Sequence, residues 1–474
     1  MILYISTIAL FIQTTYTSSY FSAPLSFHQY NYSTGMNPLL ENISFLNPTF
    51  EFCLGTPKQC VQATIDTGTS FSWFMGSELS HIFNHTFHYN ESSSITVLPG
   101  VMSVLIEGGV CLGSYAKDIP SPIENIDDVD SKFVFGLMTQ SDIDKRVLNK
   151  DASIGVMKNI SQHYRHREET TSYLEYLKHN NIIDKRVFSI EIEKEFKGGE
   201  IVFGEKNYKA QIDFCSSKDE EFQFSWVCSL KNVIYKNESL SAAKDEKVFF
   251  DTQNRLITAP YESGNYIFKK IIENYKAECK IMEDATYNYI TCNKGFDISK
   301  IEKLKLEIGR IIMNINLSSL FVYKEQEQIY ISLLVLTKHD RNHWSIGLPL
   351  FENKVFVFDL DNQRVGMIDK AIVIKGTKGI FKVLGVIIII IILVIGLLFL
   401  RRRYVLSKSK ESKIDFDLMK EDDNNYEYTY LIISICNIFL NIGDDNISLI
   451  EFDTYIIFAF IFTFTESKLN NRTK

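Results

Sequence analysis

The sequence predicts a mostly-β chain of two lobes, followed by a single transmembrane helix. Three observations predict it: an internal repeat of very long period, strand-like alternation in both copies, and one unbroken apolar run near the C-terminal end. At 474 residues the chain exceeds one ordinary domain, and two or three units are expected. Hydrophobic residues at 45% and charged residues at 23% are globular values, which excludes wholesale disorder. A net charge of −8 argues against nucleic acid as a partner, because that ligand asks for a basic face.

The first element is a signal peptide over residues 1–20. Residues 2–12 are apolar apart from Ser6 and Thr7, and a polar Thr/Ser/Tyr stretch comes next. The last clear element is the span over residues 383–400. These eighteen residues carry no polar side chain. At about 1.5 Å per residue they reach about 27 Å, enough for a bilayer core of roughly 30 Å. Arg401, Arg402 and Arg403 come directly after and place the C-terminal side in the cytosol. The reading is a single-pass type I membrane protein of the secretory or endolysosomal pathway or the cell surface. Its lobes lie on the lumenal or extracellular side, and residues 401–474 form a cytosolic tail. The short apolar runs at 431–440 and 455–464, about ten residues each, are too short to span.

Glycosylation sequons at Asn31, Asn42, Asn84, Asn90, Asn159, Asn237 and Asn316 all precede the span. So do seven of the eight cysteines. Three sequence-local pairs present themselves, Cys53 with Cys60, Cys215 with Cys228 and Cys279 with Cys292, and a secretory compartment favours disulfides. Sequence alone leaves the connectivity open, and Cys111 would be the odd thiol. The spacings are not those of a zinc site. His81, His85 and His88 would share a face only on a helix, and neither they nor His339 and His343 carry the glutamate of a His-Glu-x-x-His motif. No metal and no cofactor are expected.

The repeat defines the lobes, 45–205 and 206–372. Asp66-Thr67 ends one strand-like run and Asp251-Thr252 ends another. Ser153-Ile154-Gly155 is matched by Ser345-Ile346-Gly347. Downstream of each lies a strand pair, at 187–193 with 198–204 and at 355–359 with 364–368, rich in β-branched and aromatic residues. Each lobe thus offers one aspartate at a strand end. Two carboxylates brought together cannot both ionise easily, so one proton is shared between them. The ionised member can then act as a base on water while its neighbour donates to a carbonyl oxygen.

These residues resemble the pepsin-like aspartic proteases. Residues 52–60, Phe-Cys-Leu-Gly-Thr-Pro-Lys-Gln-Cys, look like the hairpin with a Gly-Thr-Pro turn that precedes the first catalytic motif. Residues 65–73, Ile-Asp-Thr-Gly-Thr-Ser-Phe-Ser-Trp, are similar to the Asp-Thr-Gly-Ser/Thr signature with its tryptophan. In the second lobe, 250–260 stands where the second signature belongs, and 345–351 through 365–368 match the closing segment. The resemblance covers roughly residues 45–370 in consistent order. It implies a bilobal pepsin-like fold, an aspartic endopeptidase, and an extended peptide or protein substrate.

Carried over residue by residue, Asp66 and Asp251 would be the catalytic pair. Thr67 and Thr252 would exchange hydroxyl-to-backbone hydrogen bonds across the lobes. Gly68 would let its N–H approach the Asp66 carboxylate, and Thr69 would donate its hydroxyl to it. Trp73 would back the flap, a hairpin over the cleft where the family usually presents a tyrosine. Here residues 103–113 hold none, and Leu105 or Ile106 stands nearest. The second signature departs as well. Gln253 replaces the glycine and is expected to crowd the opposing loop or push its own N–H off line. Asn254 replaces the hydroxyl residue and has an amide to donate in different geometry. Two function classes are open: a membrane-tethered endopeptidase, favoured by both aspartates, both threonines and the intact first motif; or a catalytically impaired relative that binds peptide or protein in the cleft, favoured by Gln253, Asn254 and the flap.

Overall fold

The computed structural model describes residues 20–31, 44–83, 85–106, 109–122, 132–142, 151–157, 172–208, 210–219, 221–222, 225–240, 246–284, 286–338 and 342–370, with positions 396, 398 and 400 beyond them. Strands dominate, and the described residues include two α-helices, Tyr173–His179 and Tyr261–Tyr275. The expected signal peptide lies outside the described residues except for Tyr20, as does the expected span except for the helical positions Gly396, Leu398 and Leu400. The expected cytosolic tail lies wholly outside them. Among the described residues no helix is long and apolar enough to cross a membrane.

Strand burial reflects each strand's place in its sheet. Leu304–Ile308 and Ile311–Ile315 alternate, with every odd position buried, because one face packs and the other meets water. Ala152–Gly155 is buried at all four positions, because it runs through the middle of a sheet covered on both faces. The helices use the longer period. Tyr261–Tyr275 buries Ile267, Phe268 and Ile271 along one stripe. Tyr173–His179 starts at Ser172, whose hydroxyl accepts the Glu175 N–H at 3.4 Å.

The strands form three sheets. A nine-stranded sheet belongs to the first half of the chain and an eleven-stranded sheet to the second. The third has six strands, in the order Phe21–Pro24, Gly199–Phe203, Val187–Ile192, Lys354–Asp359, Arg364–Asp369, Asp213–Ser216. Three of these strands lie before residue 206 and three after it, so the sheet joins the halves. Its seam is the antiparallel pairing of Val187–Ile192 with Lys354–Asp359. There Phe188 faces Phe358 in register, their rings stacked 4.6 Å apart. Trp226, 1% exposed, packs edge-on against both rings and donates its indole N–H to the Val156 carbonyl at 2.9 Å.

The repeat is a repeat of topology. In the first half, Ala152–Gly155 lies between Gln59–Asp66, to which it runs parallel, and Trp73–Met75, to which it runs antiparallel. In the second, His343–Ile346 lies between Lys247–Phe250, parallel, and Ile257–Ala259, antiparallel. A strand from far downstream therefore threads between the two ends of each aspartate loop and fixes them. Disulfides join Cys53 to Cys60, Cys215 to Cys228 and Cys279 to Cys292, and Cys111 is a buried free thiol. The first and third bridges close antiparallel pairs in which the two cysteines stand opposite one another. The second links the six-stranded sheet to the eleven-stranded one.

Candidate active site

Asp66 is the last residue of Gln59–Asp66, and Asp251 comes directly after Lys247–Phe250. Both are half-buried. The threading strands shape the loop beyond each aspartate. Gly155 stands opposite Asp66 in the ladder, and a Cβ there would lie 2.6 Å from Phe71 N. A Cβ on Gly347 would lie 2.3 Å from the carbonyl oxygens of Asn254 and Leu256. Only a residue without a side chain lets each loop fold back this closely, which is the physical content of the repeated Ser-Ile-Gly.

The two loops grip one another through Thr67 and Thr252, which are 1% and 4% exposed. The Thr67 N–H donates to Thr252 Oγ1 at 3.2 Å, and the Thr252 N–H to Thr67 Oγ1 at 3.0 Å. Each hydroxyl donates onward to the carbonyl preceding the opposite aspartate, Thr67 Oγ1 to Phe250 O at 2.8 Å and Thr252 Oγ1 to Ile65 O at 2.6 Å. Polar groups buried this deeply must be paired, and these are paired across the seam.

Each carboxylate also accepts an N–H from its own loop. Gly68 N donates to Asp66 Oδ1 at 2.8 Å and Gln253 N to Asp251 Oδ1 at 2.9 Å. A Cβ added to Gly68 would stand 3.3 Å from Asp66 Oδ1 and 4.0 Å from Asp251 Oδ1. One oxygen of each carboxylate thus lies within 4.0 Å of the same point beside Gly68, the two coming from opposite halves of the chain.

Contrary to expectation, Gln253 neither crowds the opposing loop nor misaligns its own N–H. That N–H reaches Asp251 Oδ1 at 2.9 Å, against 2.8 Å for Gly68, and the side chain meets the opposing loop as a hydrogen-bond partner, its Nε2 donating to Ile65 O at 2.6 Å. Asn254 donates from Nδ2 to Ser345 Oγ at 3.0 Å and accepts the Leu256 N–H on Oδ1 at 3.0 Å, closing its own turn against the threading strand. Thr69 Oγ1 accepts the Phe71 N–H at 3.0 Å, which leaves the hydroxyl proton to donate elsewhere. Burial pulls the Arg255 guanidinium down to about 10, which still leaves it protonated at every working pH.

The region expected to be a flap is a hairpin, Met102–Ile106 paired with Gly109–Asp118. Leu105 lies opposite Val110 and Ile106 opposite Gly109, next to the hairpin's tip. Trp73, 4% exposed, belongs to the apolar cluster beneath, with Met75, Met102, Cys111 and Met138. Tyr115 lies further along the return strand Gly109–Asp118, outside residues 103–113. Tyr115 sits in this cluster and meets Phe71 edge-on at 5.9 Å. Its place in the strand-like alternation of 109–118 is the signal that marks it.

The histidines of 81–88 lie in turns and irregular backbone, and His81 Nδ1 stands 3.0 Å from the Glu78 carbonyl. Glu51, Cys53 and Cys60 bring possible metal-ligand atoms within 4.8 Å of one another, but both sulfurs are committed to a disulfide.

Comparison with curated proteins finds no match. The family model described as eukaryotic aspartyl protease matches residues 50–370, from within the strand Ser44–Leu54 to just past Arg364–Asp369. That segment holds both aspartate loops and both threading strands, and the chain belongs to the eukaryotic aspartyl protease family.

Proposed function

We propose that the protein is a membrane-tethered aspartic endopeptidase in which Asp66 and Asp251 form the catalytic pair. The observation that carries the reading is that an oxygen of each carboxylate lies within 4.0 Å of one point beside Gly68, and that each accepts an N–H of its own loop. A water held there would lose a proton to the ionised carboxylate as its oxygen attacks the scissile carbonyl carbon. The protonated carboxyl would donate to the carbonyl oxygen as it becomes a hydroxyl. Collapse of the tetrahedral species returns a proton to the leaving nitrogen and yields a carboxylic acid and an amine. The carbonyls of Ile65 and Phe250 are held by donors from the opposite loop, so the spacing of the pair is set before substrate arrives.

Tethering and compartment rest on the apolar run at 383–400 with its three arginines, and on the three disulfides. Asn90, Asn237 and Asn316 are exposed, as acceptors of glycan must be. The substrate is a peptide or protein segment in extended conformation, lying in the cleft under the hairpin.

The test is cleavage of an unbiased peptide library by the full-length protein, purified in detergent and scanned across acidic pH. Cleavage that pepstatin blocks and that Asp66→Asn and Asp251→Asn each abolish is the expected result. Cleavage that survives Asp66→Asn overturns the reading. A folded protein that binds peptides in the cleft without cutting them replaces it with a binding protein derived from a protease.

A further inference from the structure

The two aspartate loops differ directly after their shared Asp-Thr. Where the first has Gly68, the second has Gln253, a long side chain with two donors and one carbonyl acceptor. Ordering such a side chain costs rotamer entropy, so a fixed position needs a bond to hold it. One such bond runs to Ile65 O at 2.6 Å. The same carbonyl accepts Thr252 Oγ1 at 2.6 Å, so two donors of the second loop occupy both of its lone pairs. Phe250 O, its counterpart, receives Thr67 Oγ1 at 2.8 Å, and Gly68 has no side chain to add. The second loop therefore reaches across the seam with one side-chain amide more than the first.

Ile65 directly precedes Asp66, so whatever fixes its carbonyl fixes the start of the Asp66 loop. Gln253 also lines a small pocket of about 10 Å³, shared with Thr64, Ile65, Thr252 and Leu348, which has room for one water at most.

We infer that Gln253 is a positioning residue that holds Asp66, the aspartate of the opposite lobe, through the Ile65 carbonyl. The inference rests on the reading of Asp66 and Asp251 as the catalytic pair. On this account the loss of the second loop's glycine is no impairment, because the amide supplies a tie that glycine cannot.

Three variants of the full-length protein test it. Gln253→Leu fills similar space without a donor, and kcat is expected to fall about tenfold with KM within about twofold. Gln253→Gly is expected to be no faster than Gln253→Leu. Gln253→Glu can donate to Ile65 O only when protonated, so its kcat should approach wild type at the acidic end and fall toward Gln253→Leu as pH rises. A Gln253→Gly or Gln253→Leu protein that turns over at the wild-type rate or faster overturns the inference. So does a Gln253→Glu protein whose pH profile superposes on wild type. If the wild type itself does not cleave, the catalytic reading fails separately, and the tie is then read from the carboxyl-carbon NMR titration of Asp66. A midpoint moved by Gln253→Leu supports the tie, and an unmoved one overturns it.

Discussion

Thr67 and Thr252 each accept the other's backbone N–H, at 3.0 and 3.2 Å, although 185 residues separate them. Neither loop can therefore shift without breaking bonds in the other. Thr67→Val removes the acceptor of the Thr252 N–H and the donor to Phe250 O, leaving two buried groups unpaired. Each such group costs about 1–3 kcal/mol. Thr252→Val strands the Thr67 N–H in the same way but leaves Ile65 O with the Gln253 amide, so the smaller loss is expected there. Denaturant unfolding should also show the double variant losing less than the two single losses combined, because both remove one shared network.

Gly155 and Gly347 stand where a methyl would meet backbone atoms of the aspartate loops at 2.6 and 2.3 Å. Backbone cannot swing aside as a flexible side-chain end can. Gly155→Ala and Gly347→Ala should each cost about 1–3 kcal/mol of stability through overpacking. The strain falls on the loops that carry Asp66 and Asp251, so kcat should drop further than KM rises. Gly295→Ala is the control, since nothing lies within 4 Å of its added carbon, and it should match wild type in both respects.

Local sequence carries much of the fold and part of the site. The strands that bury one face show their alternation directly, as Ile311–Ile315 does. The duplicated Ser-Ile-Gly marks the threading strands because close backbone approach demands glycine at both. The six-stranded sheet is not legible as one object. Val187–Ile192 and Lys354–Asp359 each show strand character, but nothing local states that they pair with one another. Phe21–Pro24 is a four-residue edge strand with too little periodicity to stand out, and it lies upstream of the boundary placed at residue 45. Gln253 defeats a local reading for a related reason. Sequence shows that a side chain is present, whereas the direction it takes depends on a carbonyl acceptor 188 residues away.

The Cys215–Cys228 bridge should matter more to stability than Cys279–Cys292, although both close 13-residue separations. By chain entropy alone each contributes about 3 kcal/mol. Cys279 and Cys292, however, face each other in a ladder that runs from Cys279 to Glu283, and local pairing of that kind persists partly in the unfolded chain. Cys215 and Cys228 lie on strands of different sheets, where no ladder substitutes for the bond. Replacing each pair by alanine and comparing urea midpoints should give the larger loss for Cys215→Ala with Cys228→Ala. Equal losses would show that hairpin pairing contributes nothing in the unfolded chain.

Glu246 gives the fold a pH dependence of definite sign. The residue is 1% exposed, and its carboxyl accepts the Ser263 hydroxyl and the Trp344 indole N–H, the latter at 2.7 Å. Burial raises its pKa above the ordinary carboxylate range; the two donors oppose this in part, and the nearby Glu262 charge adds to it. A carboxyl whose folded pKa is raised binds its proton more tightly when folded. Its contribution is therefore fully present below the unfolded pKa and is lost as pH climbs through the folded one. Glu246→Gln keeps a neutral acceptor for Trp344 and has no proton to lose. Thermal melts should place the variant close to wild type near about pH 4, the ordinary range of the group, and above it at neutral pH. A wild type that gains on the variant as pH rises would mean that Glu246 is ionised in the fold and held by partners stronger than these two donors.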